Sequence, residues 1–309
     1  MMTWETAVSI SLDHRLIVTG LAVLPAFLAH EDPAMREAVR RAHESFPFFV
    51  REMVWQRRRV VKGAFLSVRV AFDVPSQSDA PEAEHMWLTN VSFDGITLSG
   101  TLFNTSALLP ELESGAEVAV PLERLTDWMC VAGGVVCGAF TVQALRAEMT
   151  ETQRKEYDAQ WGDMPFPEPE LCNITPYEIE GWQRPKGLCR LFKKAAPIVS
   201  GLPYEEALAR ARAGEHPMSI RMRDPYEDLY RSDPDLMMRP DGDGLNPLHL
   251  EALAGNRTQV EMLLSNGTAW DGQTPDGRTA LDIARAMGWE DVARLLAAWP
   301  EHVERLRER

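Results

Sequence analysis

Residues 241–269 read DGDGLNPLHLEALAGNRTQVEMLLSNGTA, residues 274–298 read TPDGRTALDIARAMGWEDVARLLAA, and the second stretch repeats the first with a period of 33. Gly244 pairs with Gly277, Leu248 with Leu281, Gly255 with Gly288 and Leu263 with Leu296. Self-similarity at a fixed period of this length marks a solenoid, in which each unit buries its apolar face against the next. The polar positions fit that reading. Asn246 and Thr279 stand at helix starts, where a side-chain oxygen can satisfy backbone N–H groups that have no partner within the helix. Gly255 and Gly288 fall where the first helix of each pair must end. Leu248, Leu263, Leu281 and Leu295 are the expected stacked core.

The turn glycine, the NPLH opening, the mid-repeat glycine and the V-x-x-L-L helix resemble the ankyrin repeat. The resemblance implies protein binding through hairpin fingers and a concave helix face. The finger is then Ala269 to Asp276, offering Trp270, Asp271, Gln273 and Asp276, with Asp241 and Asp243 in the equivalent turn one repeat earlier. Glu251 stands where the pattern usually has alanine, and Asp282 where it usually has histidine. A solenoid of this kind needs about three repeats to bury a continuous core, so the helix expected at 204–213 or the N-terminal domain caps the stack.

Upstream, the 309-residue chain has room for a second domain. DPAMREAVRRAHESF, from Asp32, reads as a helix: Asp32 caps it, Pro33 suits its first position, and Met35, Val39, Ala42 and Phe46 form one apolar face. Phe65 to Phe72 reads as a strand. HMWLTNVSF, ITLSGTLF, EVAVPL, DWMCVA and VVCGAFT then follow, separated by Asp94-Gly95, Ser114-Gly115 and Gly133-Gly134, which are hairpin signals. The fold class is α+β. It comprises an apolar N-terminal segment (1–30) packed on the sheet domain, a helix plus antiparallel sheet domain (31–160), a linker with a short helix (161–240), and two ankyrin repeats with a tail (241–309).

The formal charge is −14, spread along the chain. Spread acidity repels phosphate backbones and disfavours nucleic acid, while it speeds association with a basic protein. Cys130, Cys137, Cys172 and Cys189 form no CxxC pair and share no zinc-type spacing with His43 or His85, so neither disulfide staples nor a metal is expected. Leu16 to Ala29 is too short to span a bilayer and lacks the basic start of a signal peptide. The expectation is a cytoplasmic protein with no membrane partner and no cofactor. Asp241-Gly-Asp243-Gly lacks the Glu that would complete a calcium loop, and Arg57, Arg58, Arg59 and Lys62 read as a solvated edge.

EHMWL (84–88), FDG (93–95), SGTLFNT (99–105), DWM (127–129) and GAFT (138–141), after the opening helix, resemble the bacterial YegJ-like family called domain of unknown function 2314. The family commonly has Gly-Gly-Tyr-Thr where this chain has GAFT, and a proline after the position of Asn104. The resemblance implies a fold and supplies no activity. Within these motifs His85, Trp87, Asp127 and Trp128 are the candidate site residues. A His/Asp pair could serve as acid and base, whereas the structural alternative makes the aromatics core residues and Asp127 an acceptor for backbone or indole N–H groups. No nucleophile motif, phosphate loop or metal spacing accompanies the pair. The preferred reading is a non-enzymatic adaptor or neutralising, immunity-like protein that binds a protein partner, in its sharpest form a basic one. The alternatives are an enzyme with a site near His85 and Asp127, and a structural fusion with no external partner.

Overall fold

The computed structural model describes residues 32–58, 64–75, 81–132, 134–162, 164–177 and 201–307. The apolar segment 16–29, Arg59, Lys62 and Cys189 lie outside them. The described chain forms two compact units, one from 32–46, 64–92 and 98–211, the other from 47–58, 93–97 and 212–307.

The first unit is α+β. Helix α1 (Pro33–Arg57) contributes its first half, with Met35, Ala38, Ala42 and Phe46 buried. Six strands follow: β1 (Ala64–Asp73), β2 (Ala83–Phe93), β3 (Thr97–Leu102), β4 (Glu117–Pro121), β5 (Leu125–Ala132) and β6 (Val135–Gly138). They form one antiparallel sheet in the order β4-β3-β2-β1-β5-β6. Side chains alternate between faces along each strand. On one face Val68 stands opposite Leu88 and Trp128, and the Trp128 indole donates to Ala42 O (3.1 Å) and Ser45 Oγ (3.2 Å) of α1. On the other face Trp87, Met129 and Val131 pack with Val142, Tyr157, Trp161, Met164 and Phe166. These come from helices α2 (Phe140–Ala147) and α3 (Glu151–Gln160) and the residues after them. Helix α4 (Tyr204–Ala213) closes the unit, its Tyr204 ring edge-on to Phe140 at 5.7 Å.

The second unit holds the repeats. Helices α7 (Pro247–Leu253) and α8 (Arg257–Ser265) form the first pair, α9 (Ala280–Ala286) and α10 (Glu290–Arg307) the second. Asn246 and Thr279 complete capping boxes, with His249 and Asp282 as the reciprocal partners. Leu248 and Leu263 are buried, while Leu281 and Leu295 are only half-buried. Leu296 takes the core position, since one period from Leu263 lands on it, and Ile283 with Ala284 fills the core of α9. Residues 215–240, which have no readable period, form α5 (Pro217–Arg221), α6 (Arg223–Ser232) and a 3₁₀ turn, and both helices pack on α8.

The second half of α1 belongs to this unit. The sequence pattern ends that helix at Phe46, yet it continues through Pro47 to Arg57. Proline costs one backbone hydrogen bond there, and the packing beyond it outweighs the loss. Arg51 donates to Ala254 O (3.0 Å) and Gly214 O (2.9 Å), and Trp55 Nε1 donates to Asn256 Oδ1 (3.1 Å). The Ala254 and Asn256 bonds tie α1 to the end of α7, and the Gly214 bond ties it to the chain just after α4. Glu251, the departure from the repeat pattern, is buried, pairs with Arg58 at 2.7 Å and accepts Asn256 Nδ2 at 2.7 Å.

Candidate functional site

The motifs of the first unit interlock as structure. Asp127 is fully buried on β5. Its Oδ1 accepts the N–H groups of Trp128 (2.8 Å) and Phe140 (3.1 Å), and its Oδ2 accepts the N–H (2.8 Å) and hydroxyl (2.5 Å) of Thr141. Helix α2 has no cap from its own N-cap residue, Ala139. Asp127 supplies that cap from across the hairpin, where a carboxylate also meets the positive end of the helix. Gly138 stands at φ +72, where an added Cβ would meet Trp128 O at 2.3 Å. DWM and GAFT are thus two sides of one joint. Glu84 of EHMWL does the same for the loop after β3: it is buried and accepts Ala107 N (2.8 Å), Leu108 N (3.0 Å) and the Ser106 hydroxyl.

His85 is half-buried, and its Nδ1 lies 3.2 Å from Thr126 Oγ1. The four hydrogen bonds given above for Asp127 come from Trp128, Phe140 and Thr141. Trp87 and Asp127 both flank Arg69 of β1 in register, so those three share one face of the sheet, and Trp128 takes the other. The structure therefore brings Trp87 and Asp127 to either side of an arginine and gives His85 a hydroxyl as neighbour.

Arg69 is the residue that motif reading misses. It is 2% exposed at the centre of the sheet, and its Nε and Nη2 have no hydrogen-bond partner. Burial lowers its pKa to about 10 and raises that of Asp127 to about 6 against the pull of its donors, so both carry charge at neutral pH. A single charged residue inside the apolar run FLSVRVAF is the signal for it in the sequence.

A cavity of about 190 Å³ in the same unit is lined by Ala38, Arg41, Phe140, Gln143 and Cys172, among others. Two of its polar groups are engaged, Arg41 with Glu37 (2.8 Å) and Gln143 with Leu171 O (2.9 Å). Burial pushes the Cys172 thiol up to about 12, which leaves it without nucleophilic character at neutral pH. Among the described residues no cluster of three or more His, Cys, Asp or Glu could hold a metal ion, and no helix is long and apolar enough to cross a membrane.

In the second unit the finger residues divide into two groups. Asp276 pairs with Arg278 (2.6 Å), and Asp241 Oδ1 accepts the N–H groups of Asp243 (3.0 Å) and Leu245 (2.9 Å), so both are spent on their own turns. Trp270, Asp271, Gln273 and Asp243 are exposed. The two turns abut: a Cβ on Gly244 would meet Pro275 Cγ at 2.6 Å, and His249 Nε2 lies 3.0 Å from Gly272 O. They make one edge. Trp270 is 39% exposed, whereas every other tryptophan among the described residues is buried.

Comparison with known proteins agrees with both halves of the chain. Residues 32–164 match the family model "Uncharacterized protein conserved in bacteria (DUF2314)". The "Putative ankyrin repeat protein" of Neisseria meningitidis serogroup B is 34% identical over 277 residues, 89% of this chain and 97% of the relative. YegJ of Escherichia coli K12 is 26% identical over 83 residues, 27% of this chain and 54% of that protein. With a sheet domain built on the DUF2314 motifs and ankyrin repeats after it, the chain belongs to the same family as the Neisseria ankyrin repeat protein.

Proposed function

We propose that this is a non-enzymatic binding protein whose ankyrin edge, centred on Trp270, engages another protein. The observation that carries the reading is the exposure of Trp270, set against the burial of every other described tryptophan. Exposing a large aromatic costs solvation free energy, and tryptophan is the residue most enriched among those that dominate protein interfaces. The Neisseria relative is named for its ankyrin repeats, which supports the same use of the scaffold here.

Asp271 and Gln273 follow the tryptophan in the same turn and Asp243 lies in the abutting one, all three exposed, so polar and acidic groups share an edge with an apolar anchor. A basic partner fits that edge and the overall charge of −14. Long-range attraction would then speed encounter and fall with added salt. The sharpest form of the reading is a neutralising, immunity-like protein that occludes a basic target. Affinity purification from the native cell, in parallel with a Trp270→Ala/Asp271→Ala variant, tests it. A stoichiometric partner lost in the variant is expected. A partner set identical for both proteins would remove the finger from the binding surface.

A further inference from the structure

Arg69 raises a question that its own neighbours leave open. A guanidinium at 2% exposure has lost its water, and burying a charge without hydrogen bonds costs several kcal/mol. Its neighbour in register, Asp127, hydrogen-bonds Trp128, Phe140 and Thr141. The two partnerless nitrogens, Nε and Nη2, are the side-on edge of the guanidinium fork. That edge matches the two oxygens of a carboxylate.

Three further donors share the situation. Trp87 Nε1, Trp161 Nε1 and Tyr157 Oη are buried and also lack hydrogen-bond partners. Trp87 stands directly across from Arg69 on β2, and Trp87, Tyr157 and Trp161 belong to one core cluster on that face. Against the effect of its burial, the Trp161 indole and the Arg69 charge both act on the Tyr157 hydroxyl, and the Tyr157 and Trp161 rings lie 6.2 Å apart. Buried polar groups are nearly always hydrogen-bonded, so an isolated orphan is uncommon and four side chains in one cluster are more so. All four can donate and only the tyrosine can accept. We infer that Arg69, Trp87, Tyr157 and Trp161 form a binding site for a small carboxylic acid in its ionised form. The guanidinium edge takes the two oxygens, and the indole and phenol groups donate to the remaining lone pairs. Asp127 already carries negative charge beside Arg69, so a carboxylate monoanion adds less like-charge repulsion there than a phosphate dianion would. Tyr157, at 7% exposure, is the most accessible of the four.

Titration of the full-length protein with sodium acetate, propionate and benzoate tests the site, with chloride at matched ionic strength and inorganic phosphate as controls. Tryptophan emission and calorimetry give the readouts, since two of the four residues are tryptophans. Saturable binding of at least one carboxylate is expected, accompanied by a higher thermal midpoint. Tyr157→Phe, which removes one hydroxyl, should weaken it at least threefold, and Arg69→Lys, which keeps the charge but loses the fork, at least tenfold. If Arg69→Lys does not fold, Tyr157→Phe carries the test alone. No saturation by any carboxylate, affinity unchanged in Tyr157→Phe, or phosphate binding in preference to all of them would overturn the assignment.

Discussion

Single residues in this protein act as joints, and Asp127 is the clearest. Its carboxylate holds three backbone N–H groups and a hydroxyl away from water. Asp127→Ala should destabilise the sheet domain by about 3 kcal/mol, the scale for buried donors left without a charged acceptor, as read by urea denaturation. Asp127→Asn, which keeps one acceptor, should lose less. A neutral Asp127→Ala would show that the cap is dispensable. Glu251 is the counterpart in the repeats. Replacing it with the alanine that the repeat pattern favours should cost about 3 kcal/mol, because Arg58 and Asn256 lose their acceptor in a buried position. Stabilisation on returning to the pattern would contradict that account. Motif comparison flags Glu251 only as an oddity, since its partner Arg58 lies far away in sequence, just past the end of α1.

At the scale of elements, the backbone decides which small residues are needed. Gly255 ends α7 at φ +65, and an added Cβ would lie 2.4 Å from the Trp289 ring, whereas Gly277 at φ +86 has open space around it. Gly277→Ala should therefore cost only the strain of the left-handed conformation, about 1 kcal/mol, and Gly255→Ala clearly more, in thermal unfolding of the two variants. Equal losses would mean that the Trp289 contact is soft. Ala139 adopts φ 57 where the related family commonly has glycine. Ala139→Gly should be nearly neutral, as relief of about 1 kcal/mol of strain offsets the lost methyl burial of about 0.8 kcal/mol. The sequence showed the repeats, their caps and the strands, because these are written as local periods and turn residues. It did not show that α1 runs through Pro47. That extension is held by Arg51 and Trp55 reaching carbonyl and amide groups at the end of α7, and no local pattern encodes such contacts. His85 and Asp127 are candidates by residue type alone, and local sequence does not encode what register adds, Arg69 beside Asp127.

For the whole molecule, two repeats become stable by recruiting distant chain. Residues 47–58, α5 and α6 complete the second unit. A fragment of residues 212–309 should lack a cooperative unfolding transition, as followed by circular dichroism, because it has lost Arg51, Trp55 and Arg58. Cooperative unfolding of that fragment would show that the repeats stand alone. The binding surface proposed above is the edge that this unit presents. The direct measurement is the affinity of the captured partner for Trp270→Ala, set against an exposed control such as Glu117→Ala, by titration calorimetry. An interface centred on Trp270 predicts binding weakened about thirtyfold or more by Trp270→Ala, the scale of a dominant interface aromatic, and unchanged by the control. Equal affinity for Trp270→Ala and wild type would contradict it.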